Sequence, residues 1–561
     1  MLKAFLAAAV ALPAMAIAQT PAAAPAAAPA ADWPTWGYDE ERTAWNRGET
    51  RLSKANVGKL RVQWKAQLAT PARDVVLSTL TAPIVVAGVA TAQGPRDMLF
   101  LLGADDVLYA LDANTGAKLW EKRFPNPVKP ARPATWLCSN TNNATPTADK
   151  ARGIIYFIAS DGLLRGLSLA DGSERLTPVE MVAPYTRAWS LNLIGDVVYT
   201  TSGRACGQLM DPKSPMYLAR DLDEVYNPDL PPTDPSAVTA VDVGDLGKPT
   251  LTRFYTSGSR PAAPWGRGGL IKGPNNSVLL ETSDGLYDPQ SGYWGDSLLR
   301  LSAKAARLVD SFTPSNAKYI LQHDLAGSAS PTIFPFGDKT LVAYVQKESV
   351  LRLLDAKNLG GRAAAQHQQP LWQSTLLGND RAVGTDPSQG VWGAITTYLA
   401  PNGKRYLYLP MWGPISVKAP TFPVSGGDAP NGMIMAFEVV DKGGTISAEP
   451  RWTSTDMIMA DPPTVANGVL YATSTGGQPM QNPKLPDGTK LSSATAESAK
   501  RRSTPTGNLT LFAYDAESGK QLYSSKKLIT DWVHFNQPVV ALGKVFIVTH
   551  DAQVFAFGVG K

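Results

Sequence analysis

Few side chains in this 561-residue chain have the type and spacing for chemistry. The two cysteines are Cys138, in TWLCSNTNN, and Cys206, in SGRACGQLM. In an oxidising compartment they could bridge, or stand as two independent thiols. No Cys-x-x-Cys-His run exists, which excludes covalently attached c-type haem. The four histidines (His323, His367, His534, His550) are scattered and lack the spacing of a zinc site. Lys500-Arg501-Arg502 is the longest basic run, and a net charge of +5 spread over this length is no nucleic-acid footprint. Asp284 and Asp296 flank a Gly- and Ser-rich hairpin, ETSDGLYDPQSGYWGDSLLRLS, where aspartate is at home in turns. Lys347, in YVQKES, reads as a loop lysine, and Trp392, in QGVWGAITTYL, as a packing aromatic.

The elements around these residues come from a repeat. YALDANTGAKLW at residues 109–120 returns as FAYDAESGKQLY at 512–523. Each copy is an alternating strand, an Asp, a Gly-bearing turn and an aromatic. Weaker copies align on Ser168, Asp242, Ser302, Asp355 and Glu438, and a truncated FAFG ends at Gly558. Eight anchors at this spacing, most preceded by a second β-rich run such as GIIYFIAS or GVLYATSTG, predict an all-β fold: an eight-bladed β-propeller of four-stranded antiparallel blades. LRVQWKAQL at 60–68 is a strand without inner partners, and the C-terminal unit has inner strands without an outer one. Pairing the two closes the ring and removes free edges. Trp64, Trp120, Trp372, Trp452 and Tyr523 share one place in their blades, so they are expected to pack between blades.

The start of the chain reads as a targeting segment. Lys3 precedes the apolar stretch 4–14, and Ala16-Ile17-Ala18 forms an A-x-A site before Gln19. The run is too short to span a bilayer, and no cysteine follows the cleavage point. The expected organisation is a signal peptide at 1–18, a Pro/Ala-rich linker at 19–31 and a propeller at 32–561, exported to the periplasm or secreted. Insertions at 207–236, 413–431 and 476–507 are rich in Pro, Gly, Asp and Ser, the composition of lids or surface elaborations.

The stretch 32–64, DWPTWGYDEERTAWNRGETRLSKANVGKLRVQW, resembles the opening of pyrroloquinoline-quinone (PQQ)-dependent alcohol dehydrogenases, and with the repeats the likeness runs over nearly the whole chain after residue 31. The resemblance implies PQQ in the central channel over calcium, whose oxygen ligands and Lewis acidity suit quinone chemistry. It places a metal ligand and cofactor contact at Asp284, a metal ligand and catalytic base at Asp296, a cationic quinone contact at Lys347 and a channel aromatic at Trp392. The chain departs from the family pattern in three places. Val391 stands where the family carries Asn, Cys138 is alone where paired cysteines are expected, and the turn GRACGQ lacks the metal-binding Glu. Three functions follow as expectations. The first is a propeller that binds PQQ or a related ligand with an altered metal site. The second is an active PQQ- and calcium-dependent alcohol or aldehyde dehydrogenase. The third is a scaffold holding a protein or glycan.

Overall fold

The computed structural model describes residues 32–73, 78–130, 133–134, 139–204, 236–256, 262–283, 285–360, 369–380, 388–479 and 500–560. Asp284, Cys138, Cys206, the segment 1–31 and most of the 207–236 and 476–507 insertions lie outside the described residues.

Eight antiparallel sheets form the ring. Blade 1 is built from Ile84–Thr91, Gly94–Leu102, Val107–Asp112 and Lys118–Arg123, paired in chain order. Its inner strands are apolar on both faces because each blade is covered by a neighbour on either side; Leu99, Phe100, Leu108 and Leu111 are fully buried. The third strands of the blades are Val107–Asp112, Leu163–Ser168, Ala237–Asp242, Leu298–Leu301, Arg352–Asp355, Gly432–Lys442, Thr510–Asp515 and Gln553–Gly558. The repeat anchors sit in these strands or, for Ser302, immediately after one.

The geometry explains why the repeat is spelled as it is. Asp112 Oδ1 accepts the backbone N–H of Asn114 at 2.8 Å and of Thr115 at 3.0 Å, and Asp515 does the same for Glu517 and Ser518, so the anchor aspartate holds the turn. The glycine that follows has a left-handed φ: +74° at Gly116, +71° at Gly172 and +73° at Gly519. Over each glycine lies an indole from the preceding blade. A β-carbon would come within 2.5 Å of Trp64 at Gly116, 3.0 Å of Trp120 at Gly172 and 2.6 Å of Trp452 at Gly519. The same indoles donate Nε1–H into the next blade, to the carbonyls of Ala113, Leu169 and Ala516. Those tryptophans are the inter-blade packing residues expected from the repeat.

Ring closure follows the expected pairing. Arg61–Gln67 is the outer strand of blade 8, antiparallel to Gln553–Gly558 with Arg61 opposite Gly558 and Gln67 opposite Gln553.

Residues 32–46 do something the sequence did not announce: they stop one end of the ring by touching seven of its eight blades. Trp33 bridges to Val85 of blade 1, and the Pro34 carbonyl accepts Ala148 N–H of blade 2. Arg42 donates to the Leu191 carbonyl beside blade 3 at 2.7 Å, and Glu40 pairs with Lys272 of blade 4. Thr43 and Ala44 carbonyls accept from Thr397 of blade 6 and Val465 of blade 7, and Asn46 Nδ2 reaches Val540 of blade 8. Trp36, 1% exposed, clusters with Ala82 and Ala394 and lies against Gly268, whose surroundings also include Ser330 at the entry to blade 5. Only a residue on the axis meets elements from such distant parts of a ring.

Candidate functional site

With one end stopped, side chains above the plug gather around the axis. They come from the connections that enter each blade on its inner edge. Arg187 and Trp189 belong to blade 3, Trp265 and Arg267 precede blade 4, and Asp324 precedes blade 5. Trp392 belongs to blade 6, Asp461 precedes blade 7, Arg502 lies in the insertion of blade 7, and His534 and Phe535 precede blade 8. These residues interact across the ring, which locates them at its axis. The Arg267 guanidinium lies 5.9 Å from the Trp189 ring centre and 5.4 Å from that of Phe535. Phe535 also lies 6.2 Å from Trp392.

The walls are aromatic. Trp392 stacks on Trp412 at 4.4 Å with planes 11° apart, and Trp412 in turn packs against His534 and Phe535. On the other side Trp189 and Trp265 meet edge to face at 5.8 Å, with the Arg187 guanidinium 5.3 Å and 5.5 Å from the two rings. Trp189 Nε1 and Trp265 Nε1 are buried without a hydrogen-bond partner in the structure.

The charge in this cluster is positive. Burial, with the like charges of Arg502, Arg267 and Arg187, drives the His534 imidazolium well below its ordinary pKa. Burial and then Arg187 do the same to Arg502, opposed by Asp324. Arg267 is lowered to about 10 by burial, against the pull of Asp461. Arg267 Nη1 donates to the Asn143 carbonyl at 3.1 Å while its Nε has no partner. Asp461 is pushed up to about 8 by burial, against the pull of the Asn536 N–H, Arg267 and the Phe535 N–H; its Oδ2 accepts the Asn536 N–H at 2.8 Å. Three arginines beside aromatic faces can grip a planar, multiply anionic molecule.

Of the site residues expected from the sequence, Lys347 and Trp392 come together: the ammonium lies 5.2 Å from the indole centre. The ion partner of Lys347 is Asp324, at 2.6 Å. Asp296 is 1% exposed and lies at the junction of blades 4 and 5, where it acts on the buried carboxyl of Glu281. Val391 is fully buried beside Trp392. Among the described residues no group of three or more His, Cys, Asp or Glu side chains could hold a metal ion, so the calcium centre drawn from Asp284 and Asp296 is not assembled from described residues alone.

Sequence reasoning passed over Arg187, Arg267, Asp324, Asp461, Arg502 and His534. One signal was available for two of them: Asp461 in MIMADPPT and His534 in DWVHFNQP are polar groups embedded in apolar or aromatic runs.

The comparisons agree with this architecture. The family described as outer membrane protein assembly factor BamB matches residues 58–210. No curated protein matches the sequence. Among solved structures, the quinohemoprotein alcohol dehydrogenase of Comamonas testosteroni superposes with a TM-score of 0.56 at 14% identity, over 94% of this chain and 80% of its own. The quinohemoprotein alcohol dehydrogenase ADHIIG of Pseudomonas putida HK5 gives 0.54 at 14%, over 94% and 80%. A europium-containing methanol dehydrogenase gives 0.55 at 11%, over 94% and 90%. In fold the chain is a quinoprotein-like eight-bladed propeller. Fold alone does not carry an activity across such a distance. Among the described residues no helix is long and apolar enough to cross a membrane.

Proposed function

We propose that this is an exported quinoprotein-like propeller whose channel binds PQQ or a closely related planar aromatic polycarboxylate, with a metal site altered from the family pattern. The observation that carries this reading is the convergence of Arg187, Arg267 and Arg502 on a cluster of aromatic rings at the axis, beyond the plugged end. Guanidinium groups at low local dielectric suit carboxylates, and indole faces suit a flat conjugated ring. The orphaned Arg267 Nε and the indole N–H groups of Trp189 and Trp265 are donors that a carboxylated heterocycle satisfies. Bound there, PQQ would supply a two-electron quinone acceptor. The chain's own part is to hold the ring between Trp392 and the Trp189–Trp265 wall, to present Lys347 and to exclude water. Asp296 is the base that the resemblance implies, and Asp324 would hold the Lys347 ammonium in position.

Addition of PQQ to the purified protein is expected to shift the quinone absorbance and raise the melting temperature, because a ligand that binds only the native state stabilises it by mass action. Arg267→Ala should weaken binding about 10- to 100-fold, the value of one charged hydrogen bond lost in a buried site. A wild-type protein that responds to PQQ in neither measurement overturns the reading. That outcome leaves the scaffold alternative, which has its own support in the assembly-factor description of the matching family and in the exposed Ile415, Val417 and Val424 of the 413–431 loop. Export is read from the N-terminal segment: mature protein should begin at Gln19 by mass spectrometry, and an intact Met1 on released protein would refute it.

A further inference from the structure

We infer that the cavity between the plug and blades 2 to 4 binds an aliphatic diamine or polyamine, one ammonium held at Glu41 on one wall and another at Asp149 and Asp196 on the facing wall. This goes beyond the channel reading and does not depend on it. The cavity measures about 890 Å³, within the range of small-molecule sites. One wall is the plug, with Arg47 directly after it. The other is made where inner strands end: Thr147–Asp149 of blade 2 runs into residues 150–152, and Asn192–Ile194 of blade 3 into Gly195 and Asp196. Trp189, of the aromatic cluster, precedes that blade 3 strand and Asp196 follows it, so the two sites lie at opposite ends of one strand.

Six carboxylates and four cations line the cavity, and each cation is already taken. Arg47 pairs with Asp39 at 2.7 Å, Lys150 with Asp32 at 2.8 Å and Lys272 with Glu40 at 2.5 Å. Arg152 serves two acids, Asp149 through Nε at 3.6 Å and Asp196 through Nη2. Two negative charges are therefore left over, in a chain whose net charge is +5. One is on Glu41, which has no ion-pair partner among the described residues; the other is shared by Asp149 and Asp196 around a single guanidinium. Glu41 is half-buried. Burial first and Asp39 next raise its carboxyl pKa; Lys272 opposes them and Glu40 adds to them. Behind Glu40 lies one more unmet acceptor. Asn192 is fully buried, with Nδ2 donating to the Glu40 carbonyl at 2.9 Å and Oδ1 without a hydrogen-bond partner among the described residues.

Surplus charge in a partly desolvated cavity is costly, and a bound cation removes the cost. An ammonium, with three donors and a compact charge, suits a lone carboxylate. The cavity also carries apolar surface, from Pro34 of the plug, Ala148 of blade 2 and Leu193 of blade 3. The Pro34 carbonyl accepts the Ala148 N–H at 2.7 Å, which joins the plug wall to blade 2 there. A molecule with a cation at each end and methylenes between them matches both features, whereas a single ammonium meets only one of the surplus charges. A metal ion does not: the surplus carboxylates stand on separate walls, and no group of three or more His, Cys, Asp or Glu side chains among the described residues could hold one.

The test uses the full mature protein, free of PQQ in every arm, at low ionic strength where partly exposed charges are least screened. Putrescine and spermidine should each give saturable heat in calorimetry and raise the melting temperature. n-Butylamine, with the same carbon chain and one ammonium, should bind about 10-fold more weakly than putrescine. Glu41→Gln keeps the shape and removes the charge; it should weaken putrescine about 5-fold, the upper value for a partly exposed charge pair. Asp196→Asn should weaken it as well. Glu121→Gln, on the outer strand of blade 1, removes an acid outside the cavity and should bind as the wild type does. The inference is overturned if neither amine gives a saturable response, if n-butylamine binds as tightly as putrescine, or if Glu41→Gln binds as the wild type does. An equal loss in Glu121→Gln would reduce the binding to general charge attraction and overturn it too. Because PQQ is absent throughout, an amine response in a protein that ignores PQQ upholds this site while the channel reading falls.

Discussion

A chain that begins at residue 69 is expected to lose cooperative folding altogether. The deletion removes Arg61–Gln67, the strand that completes blade 8 through its pairing with Gln553–Gly558. It also bares an inner strand whose Phe555, Ala556 and Phe557 are buried in the closed ring. An uncovered apolar edge is a template for intermolecular pairing. The same deletion takes away residues 32–46, which tie seven of the eight blades together at the axis through the contacts of Trp33, Pro34, Glu40, Arg42, Thr43, Ala44 and Asn46. A domain is held by a net stability of about 5–15 kcal/mol, and loss of a whole strand with its packing exceeds that reserve. The expected result is an aggregating product without a sharp melting transition by circular dichroism. A cooperative melt within a few degrees of the full chain would show that the ring closes without this segment. A chain beginning at residue 47, which keeps the closing strand and loses only the plug, should fold with a lower melting temperature.

The blades were legible because one physical arrangement is spelled out repeatedly. An anchor such as Asp112 must cap its turn, a glycine such as Gly116 must adopt positive φ beneath an indole, and Trp64 must reach the next blade's carbonyl. All three demands leave residue types at fixed spacing, so the chain can be read by eye. The site has no such grammar. Arg267, Asp461 and His534 sit on different connections, far apart in the chain, and are brought together only by ring closure. Lys347 and Trp392 were reached through resemblance, and their contact survives in the structure. The resemblance put a base at Asp296, whereas the acid that ion-pairs with Lys347 is Asp324 of the short turn QHDLAG, which has no periodic signal.

Trp36→Ala should be the most costly single substitution outside the blades. Trp36 is 1% exposed and stands on the axis against Ala82, Ala394 and Gly268, residues too small to move in and fill the space it leaves. Removal of a buried indole costs about 3–5 kcal/mol, with the upper part of that range where the surroundings cannot collapse. The neighbours also depend on its position. Arg42 Nη1 donates to the Trp36 carbonyl and, at 2.6 Å, to Thr35 Oγ1, while Nη2 donates to the Leu191 carbonyl at 2.7 Å. That guanidinium is fully buried and lowered to about 9 by desolvation, so its tolerance of burial rests on these acceptors staying in place. A plug loosened at Trp36 therefore also loosens the clamp at Arg42. Chemical denaturation should show the midpoint falling with little change in slope, since the surface exposed on unfolding is nearly the same. Trp120→Ala is the comparison. Its indole is only partly buried and packs over Gly172 on the ring's flank, so it should cost clearly less than Trp36→Ala. Equal losses for the two would mean that the N-terminal segment rests on the ring without bracing it.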